Sequence, residues 1–140
     1  MRLEVYDPDK ELDAEFGQWL CKRIQKHILS SLDSNKLKSW DTFFQTSLTY
    51  TSIYGIPIKT QNIFTEAVKN IVVNKLPDKI VISLNGNKYM PGLDRVKLHT
   101  LVKLITFGNI STTGYPVFTD SLQYFADNIN DFVELYERGL

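Results

Sequence analysis

Apolar residues recur at helical spacing in the first third of the chain. Leu12, Phe16, Trp19, Leu20, Ile24, His27 and Ile28 fall on one face, which predicts a long amphipathic helix running to about Ser31. Asp7-Pro8-Asp9 reads as its start, with Asp9 as cap and proline near the first turn. Residues 33–40, DSNKLKSW, are polar and turn-forming. The stretch 41–54 is rich in Thr, Tyr and Phe, and Leu48, Tyr50 and Tyr54 alternate with polar neighbours as in a strand ended by Gly55-Ile56-Pro57. A second helix is predicted from about Thr60, with Ile63, Phe64, Ala67, Val68, Ile71 and Val72 on one face and Pro77-Asp78 as its breaker.

KIVISLNGNKYM carries the clearest β signal. Two short runs flank Asn85-Gly86, a pair that suits a tight hairpin turn because both central residues need positive φ. Pro91-Gly92 closes it, and Asp94 can cap a third helix bearing Val96, Leu101, Val102 and Ile105. Gly108-Asn109 would end that helix in left-handed geometry. A fourth helix follows Pro116, with Leu122, Phe125, Ala126, Ile129, Phe132, Val133 and Tyr136 on its apolar face and Gly139 as its stop. The predicted fold is α+β: about four helices packed on a small antiparallel sheet containing a hairpin at residues 79–90. No repeat, linker or low-complexity tract divides residues 1–140, so one domain is expected, with residues 1–8 as an N-terminal arm.

A chain of 140 residues can bury a core without disulfide or metal staples. Its 43% hydrophobic and 23% charged residues are ordinary for a folded protein. A formal net charge of zero argues against a generic polyanion binder. No apolar run is long enough to span a bilayer and the acidic N-terminus shows no signal core, so a soluble protein made inside the cell is expected. Charge is uneven, however. Glu4, Asp7, Asp9, Glu11, Asp13 and Glu15 precede Lys22, Arg23, Lys26, Lys36 and Lys38. A basic stretch from Lys88 to Lys103 then precedes Asp127, Asp131, Glu134 and Glu137. Acids early and bases late match the dipole of the first helix. The same layout would also supply complementary faces for a head-to-tail oligomer.

Motifs of chemistry are not found. Asn85-Gly86-Asn87 lacks the Lys-Ser or Lys-Thr of a phosphate loop, and neither a dinucleotide fingerprint nor a nucleophile elbow occurs. One cysteine and two distant histidines match no common zinc spacing, and His27 on an apolar face reads as a packed histidine. Cys21 lies on a crowded helix face and reads as an inert thiol rather than a partner of His99. The expectation is no enzyme, no catalytic residues, no cofactor and no metal. Tyr89 beside Lys88 comes nearest to a base-stacking platform.

The stretch from Leu104 to Ala126 reads instead as a rigid aromatic corner: Phe107 before Gly108, then Tyr115, Pro116 and Phe118. With the amphipathic helix and hairpin before it, this order resembles the tail-completion, or head–tail joining (neck), proteins of tailed bacteriophages. In them a hydrophobic segment ends in Glu-Phe-Gly-Thr and a Pro-Phe pair leads into a final helix. The matching residues here are Thr106, Phe107, Gly108 and Asn109, then Pro116, Val117 and Phe118, with Ser121 and Leu122 opening the last helix. Upstream, Thr46, Ser47 and Leu48 match a Thr-Gly-x-Leu step. Thr106, Asn109 and Ser47 replace the family's acid, threonine and glycine.

The resemblance implies a non-enzymatic virion protein, made in the host cytoplasm, that forms a homo-oligomeric ring and contacts other connector or tail proteins. It implies no membrane and no specific nucleic acid. Candidate contact residues are Phe107, Gly108, Asn109, Tyr115, Pro116 and Phe118, with Phe107 and Phe118 expected to pack together. Glu4, Asp7 and Asp9 would belong to a docking arm, in which Leu3 and Val5 add a strand either to a neighbour or to the protein's own sheet. A small nucleic-acid-binding regulator is the alternative; it wants a basic groove-facing helix, and HTLVKLITF is too apolar for that.

Overall fold

A computed structural model of the chain describes residues 1–46, 58–91 and 93–139, with the backbone alone at 93–95. The strand predicted at 48–54, the Gly55-Ile56-Pro57 turn, and the Ser47-Leu48 and Gly92 steps lie outside the described residues. The fold is α+β, with six helices among the described residues where about four were expected.

Strand β1 (Arg2–Tyr6) pairs antiparallel with β3 (Lys79–Leu84), which pairs on its other side with β2 (Ile71–Lys75), giving the order β1-β3-β2. Leu3 lies opposite Ile82 and Val5 opposite Ile80, so period-two alternation puts all four side chains on the helix-covered face. The N-terminal strand therefore belongs to the protein's own sheet. β2 begins one residue after α3 (Thr60–Lys69), where a continuing helix was expected. Ile71 and Val72 extend the helical stripe, but the β-branched run Ile71-Val72-Val73 suits a strand better.

Pro77-Asp78 makes the β2–β3 turn, with the Leu76 N–H donating to Lys79 O at 2.8 Å. The hairpin expected around Asn85-Gly86 does not form. β3 spends its edges on β1 and β2, while β4 (Tyr89–Met90) pairs with β5 (Leu93–Lys97) in a separate two-stranded sheet. Gly86 has no positive φ, and Asn85 Oδ1 instead accepts from the Asn87 N–H at 3.1 Å. Asp94 is a β5 residue, and Lys97 occupies the N-cap of α4 (Leu98–Phe107).

Helix α1 (Ala14–Ser30) is capped by Asp13, whose carboxylate accepts from the Phe16 N–H at 2.8 Å. Asp9 does not cap it. The Asp7 N–H continues the sheet ladder to Asp78 O at 2.7 Å, and the Asp7 carboxylate accepts from the N–H groups of Glu11 and Leu12. Four more residues are thereby consumed before the helix begins. The segment read as turn-forming at 33–40, together with the start of the Thr-, Tyr- and Phe-rich stretch after it, is α2 (Ser34–Thr46). Asp33 accepts from the Asn35 and Lys36 N–H groups, and Trp40 and Phe44, four apart, are buried. Asp-Ser-Asn favours turns and helix starts for the same hydrogen-bonding reason.

After Pro116 the chain forms two helices, α5 (Val117–Asp127) and α6 (Ile129–Glu137), rather than one. Asn128 separates them, its side-chain amide donating to Tyr124 O at 2.8 Å. Phe125 stacks on Phe132 at 4.5 Å between ring centroids, holding the pair together. α6 then lays Tyr136 against Phe16 and Trp19 at the N-terminal end of α1.

Candidate interaction surface

The corner between α4 and α5 is built on two glycines. The Gly108 N–H donates to Leu104 O at 2.8 Å, closing α4. Its φ of 76° is positive as predicted, but its ψ of −173° is extended rather than left-handed helical. A region open almost only to glycine thus turns the chain directly into a tight return, with Gly108 bridging Thr113. Asn109 Oδ1 fills the loop, accepting from the N–H groups of Ser111 and Thr112 at 2.9 and 2.7 Å. The Asn109 N–H donates to Thr112 O at 3.0 Å, and the Tyr115 N–H reaches back to Ile105 O at 2.7 Å.

Tyr115 ties this loop to the far end of α1. Its hydroxyl accepts from the Asp33 N–H at 2.8 Å and donates to Ser31 O at 3.2 Å. Its ring packs edge-on to Phe64. Pro116 takes the N-cap position of α5, and its carbonyl accepts from the Asp120 N–H at 2.8 Å.

The two phenylalanines expected to pack together are divided. Phe118 is 1% exposed within the core, whereas Phe107 is 73% exposed on the outer face of α4. Position in the helix decides this: α4 buries Leu98, Leu101, Val102 and Ile105, and Phe107 falls off that stripe. Three residues after Phe107, Ile110 stands fully in solvent in the loop. Sequence reasoning passed Ile110 by, although an isoleucine among Asn109, Ser111, Thr112 and Thr113 was a visible oddity.

Between α2 and the loop runs a cleft of about 520 Å3, lined by Lys36, Trp40 and Phe43 on one side and Ser111, Thr112 and Thr113 on the other. It gathers hydroxyls and one ammonium group, a set suited to polar contact rather than to proton transfer.

The acids assigned to a docking arm have different local surroundings. Glu4 accepts from Lys79 Nζ at 3.2 Å and also pairs with Arg2; the Lys79 ammonium holds its carboxyl below the ordinary range. Asp7, 6% exposed, serves its own turn, and Asp9 is exposed. Elsewhere, Cys21 is buried and burial pushes its thiol pKa up, which disfavours a nucleophilic thiolate. His27 lies at a half-buried edge, stacked on Tyr124 with Nδ1 at 3.0 Å from Ser121 Oγ. Tyr89 is exposed, with the Lys97 ammonium 5.9 Å from its ring centre.

Among the described residues no three His, Cys, Asp or Glu side chains are grouped to hold a metal, and no helix is long and apolar enough to cross a membrane. No protein-family model matches the chain, and no curated protein or solved structure matches it.

Proposed function

We propose that this chain is a non-enzymatic structural protein of a tailed-bacteriophage virion, a tail-completion or neck component that closes a ring at the head–tail junction. The observation that carries this reading is the corner itself. Two apolar side chains, Phe107 at the end of α4 and Ile110 in the loop after it, stand out in water, and two closely approaching glycines and an Asn109-centred turn fix the path of that loop. Exposed apolar groups on a backbone so fixed suit a permanent protein contact, since little ordering entropy is lost on docking. The residues that form this corner are the ones that resemble the neck-protein signature, Phe107-Gly108 and Pro116-Val117-Phe118.

The test is made on particles. Antibody labelling of purified virions should place the chain at the junction of capsid and tail, and deleting its gene should leave filled heads and free tails unjoined. Absence from purified particles would overturn the proposal.

A further inference from the structure

We infer that α6 is an exchangeable arm: in concentrated protein the chain straightens at Asn128, and two copies trade their α6 helices. The apolar stripe is written for one helix. Phe125, Ala126, Ile129, Phe132, Val133 and Tyr136 keep helical spacing straight through Asn128. No proline or glycine lies between Val117 and Glu137, so no fixed breaker interrupts that stretch.

The bend is the work of one side chain. Asn128 sits at φ −114° and ψ 21°, and its amide donates to Tyr124 O at 2.8 Å, beside its own backbone N–H at 3.2 Å. The helical ladder resumes where the N–H groups of Asp131 and Phe132 donate to Asn128 O. An asparagine that competes with the helix for its acceptor holds the chain bent.

The bend gives α6 its seat. Phe132 stacks on Phe125 at 4.5 Å between ring centroids, whereas in a straight helix the two positions lie about 10 Å apart along the axis. Tyr136 packs 5.2 Å from Phe16 and 5.3 Å from Trp19, and its hydroxyl donates to Asp13 Oδ1 at 3.0 Å. Yet no residue of α6 is fully buried. Ile129, Asn130 and Val133 also line a cleft of about 370 Å3 together with Val5, Pro8 and Leu12. A half-buried helix beside incomplete packing opens at less cost than the core.

The seat identifies its occupant, because it already holds an α6 of this sequence. An α6 arriving from a second copy makes the same stacks with Phe125, Phe16 and Trp19 and the same hydrogen bond to Asp13. The straightened chain leaves its own seat open, and the second copy's α6 fills it in return, giving a two-fold pair. Both forms thus share the seat and differ at the hinge. In dilute protein each chain serves its own seat, and a second copy competes as concentration rises. The exchange is independent of the proposed function.

The test refolds the purified full chain from urea at rising concentration and separates monomer from dimer by size exclusion. The unaltered chain should give both, with the dimer share growing with concentration. Hydrogen exchange over residues 127–131 should be slower in the dimer, since an unbroken helix bonds the Ile129 and Asn130 N–H groups to Phe125 O and Ala126 O. Asn128→Ala removes the competing amide and favours helix, so it should reach half dimer at a concentration at least about 5-fold lower. Asn130→Ala, at an exposed position, serves in its place if that variant fails to fold. Inserting Gly-Ser-Gly after Asn128 should keep the chain monomeric throughout, because a longer hinge lets α6 return to its own seat.

A chain that refolds only as monomer would overturn the inference. So would a dimer whose residues 127–131 exchange as fast as the monomer's, or an insertion variant that dimerises like the unaltered chain. Each of these results leaves the proposed function standing, since that reading is decided on particles.

Discussion

Gly108 and Gly114 touch backbone to backbone across the corner. A Cβ on Gly108 would lie 2.5 Å from the Gly114 nitrogen and 2.7 Å from Thr112 O. One on Gly114 would lie 2.6 Å from Thr106 O. The closeness is what lets α4 stop and α5 start within ten residues, with the loop between them folded back on the end of α4.

Gly108→Val is therefore expected to destabilise the fold by about 2–3 kcal/mol, through the positive φ and the clash with backbone atoms that cannot swing aside. Chemical denaturation measures it. Gly114→Ala should cost a similar amount through the clash alone, and the double variant should cost less than the two together, since either clash already opens the loop. Unchanged midpoints for both single variants would contradict the close approach.

Removing residues 1–6 should collapse the stability of the isolated chain rather than merely its assembly. Leu3 and Val5 are buried on the inner face of the sheet, and each contributes about 1.5–3 kcal/mol on burial. Their loss also strips one edge of β3. The milder Leu3→Ala should cost about 2–5 kcal/mol by leaving a cavity. A truncated chain that melts like the full one would mean that β1 pairs between copies instead.

Tyr136 should give the fold an alkaline sensitivity. Partial burial, and then the Asp13 carboxylate that accepts its hydroxyl proton at 3.0 Å, raise its pKa above the ordinary tyrosine value. The folded chain thus holds this proton more tightly than the unfolded one. The stabilisation is complete below about pH 10, where the unfolded tyrosine titrates, and is lost as pH rises through the raised value. In urea unfolding of dilute protein, the advantage over Tyr136→Phe should shrink above about pH 10. A gap that stays constant across that range would rule the linkage out.

The α+β class, the stripes of α1, α3 and α4, and a positive φ at Gly108 were legible in the sequence because each rests on local spacing or on a single residue's conformational freedom. Partnership was not local. KIVISL announces a strand, but that β1 and β2 take both its edges, leaving none for β4, depends on a segment 75 residues upstream. Likewise Asp33-Ser34-Asn35 serves a turn or a helix cap equally well, and the burial of Trp40 and Phe44 decides for the helix.

The candidate site divides in the same way. The sequence by itself determined the corner, since Gly108, Asn109 and Pro116 permit little else there. Only the tertiary structure decided which aromatic residues face water. Phe107 and Phe118 look alike in the sequence, yet Phe118 closes the core and Phe107 projects from it, because α5 buries Phe118 in packing on α1 and β1 while Phe107 falls off the stripe that α4 buries in packing on α3 and α5. The contact of Trp19 with Tyr136 joins residues more than a hundred positions apart, and it is made by α6, which Asn128 separates from α5.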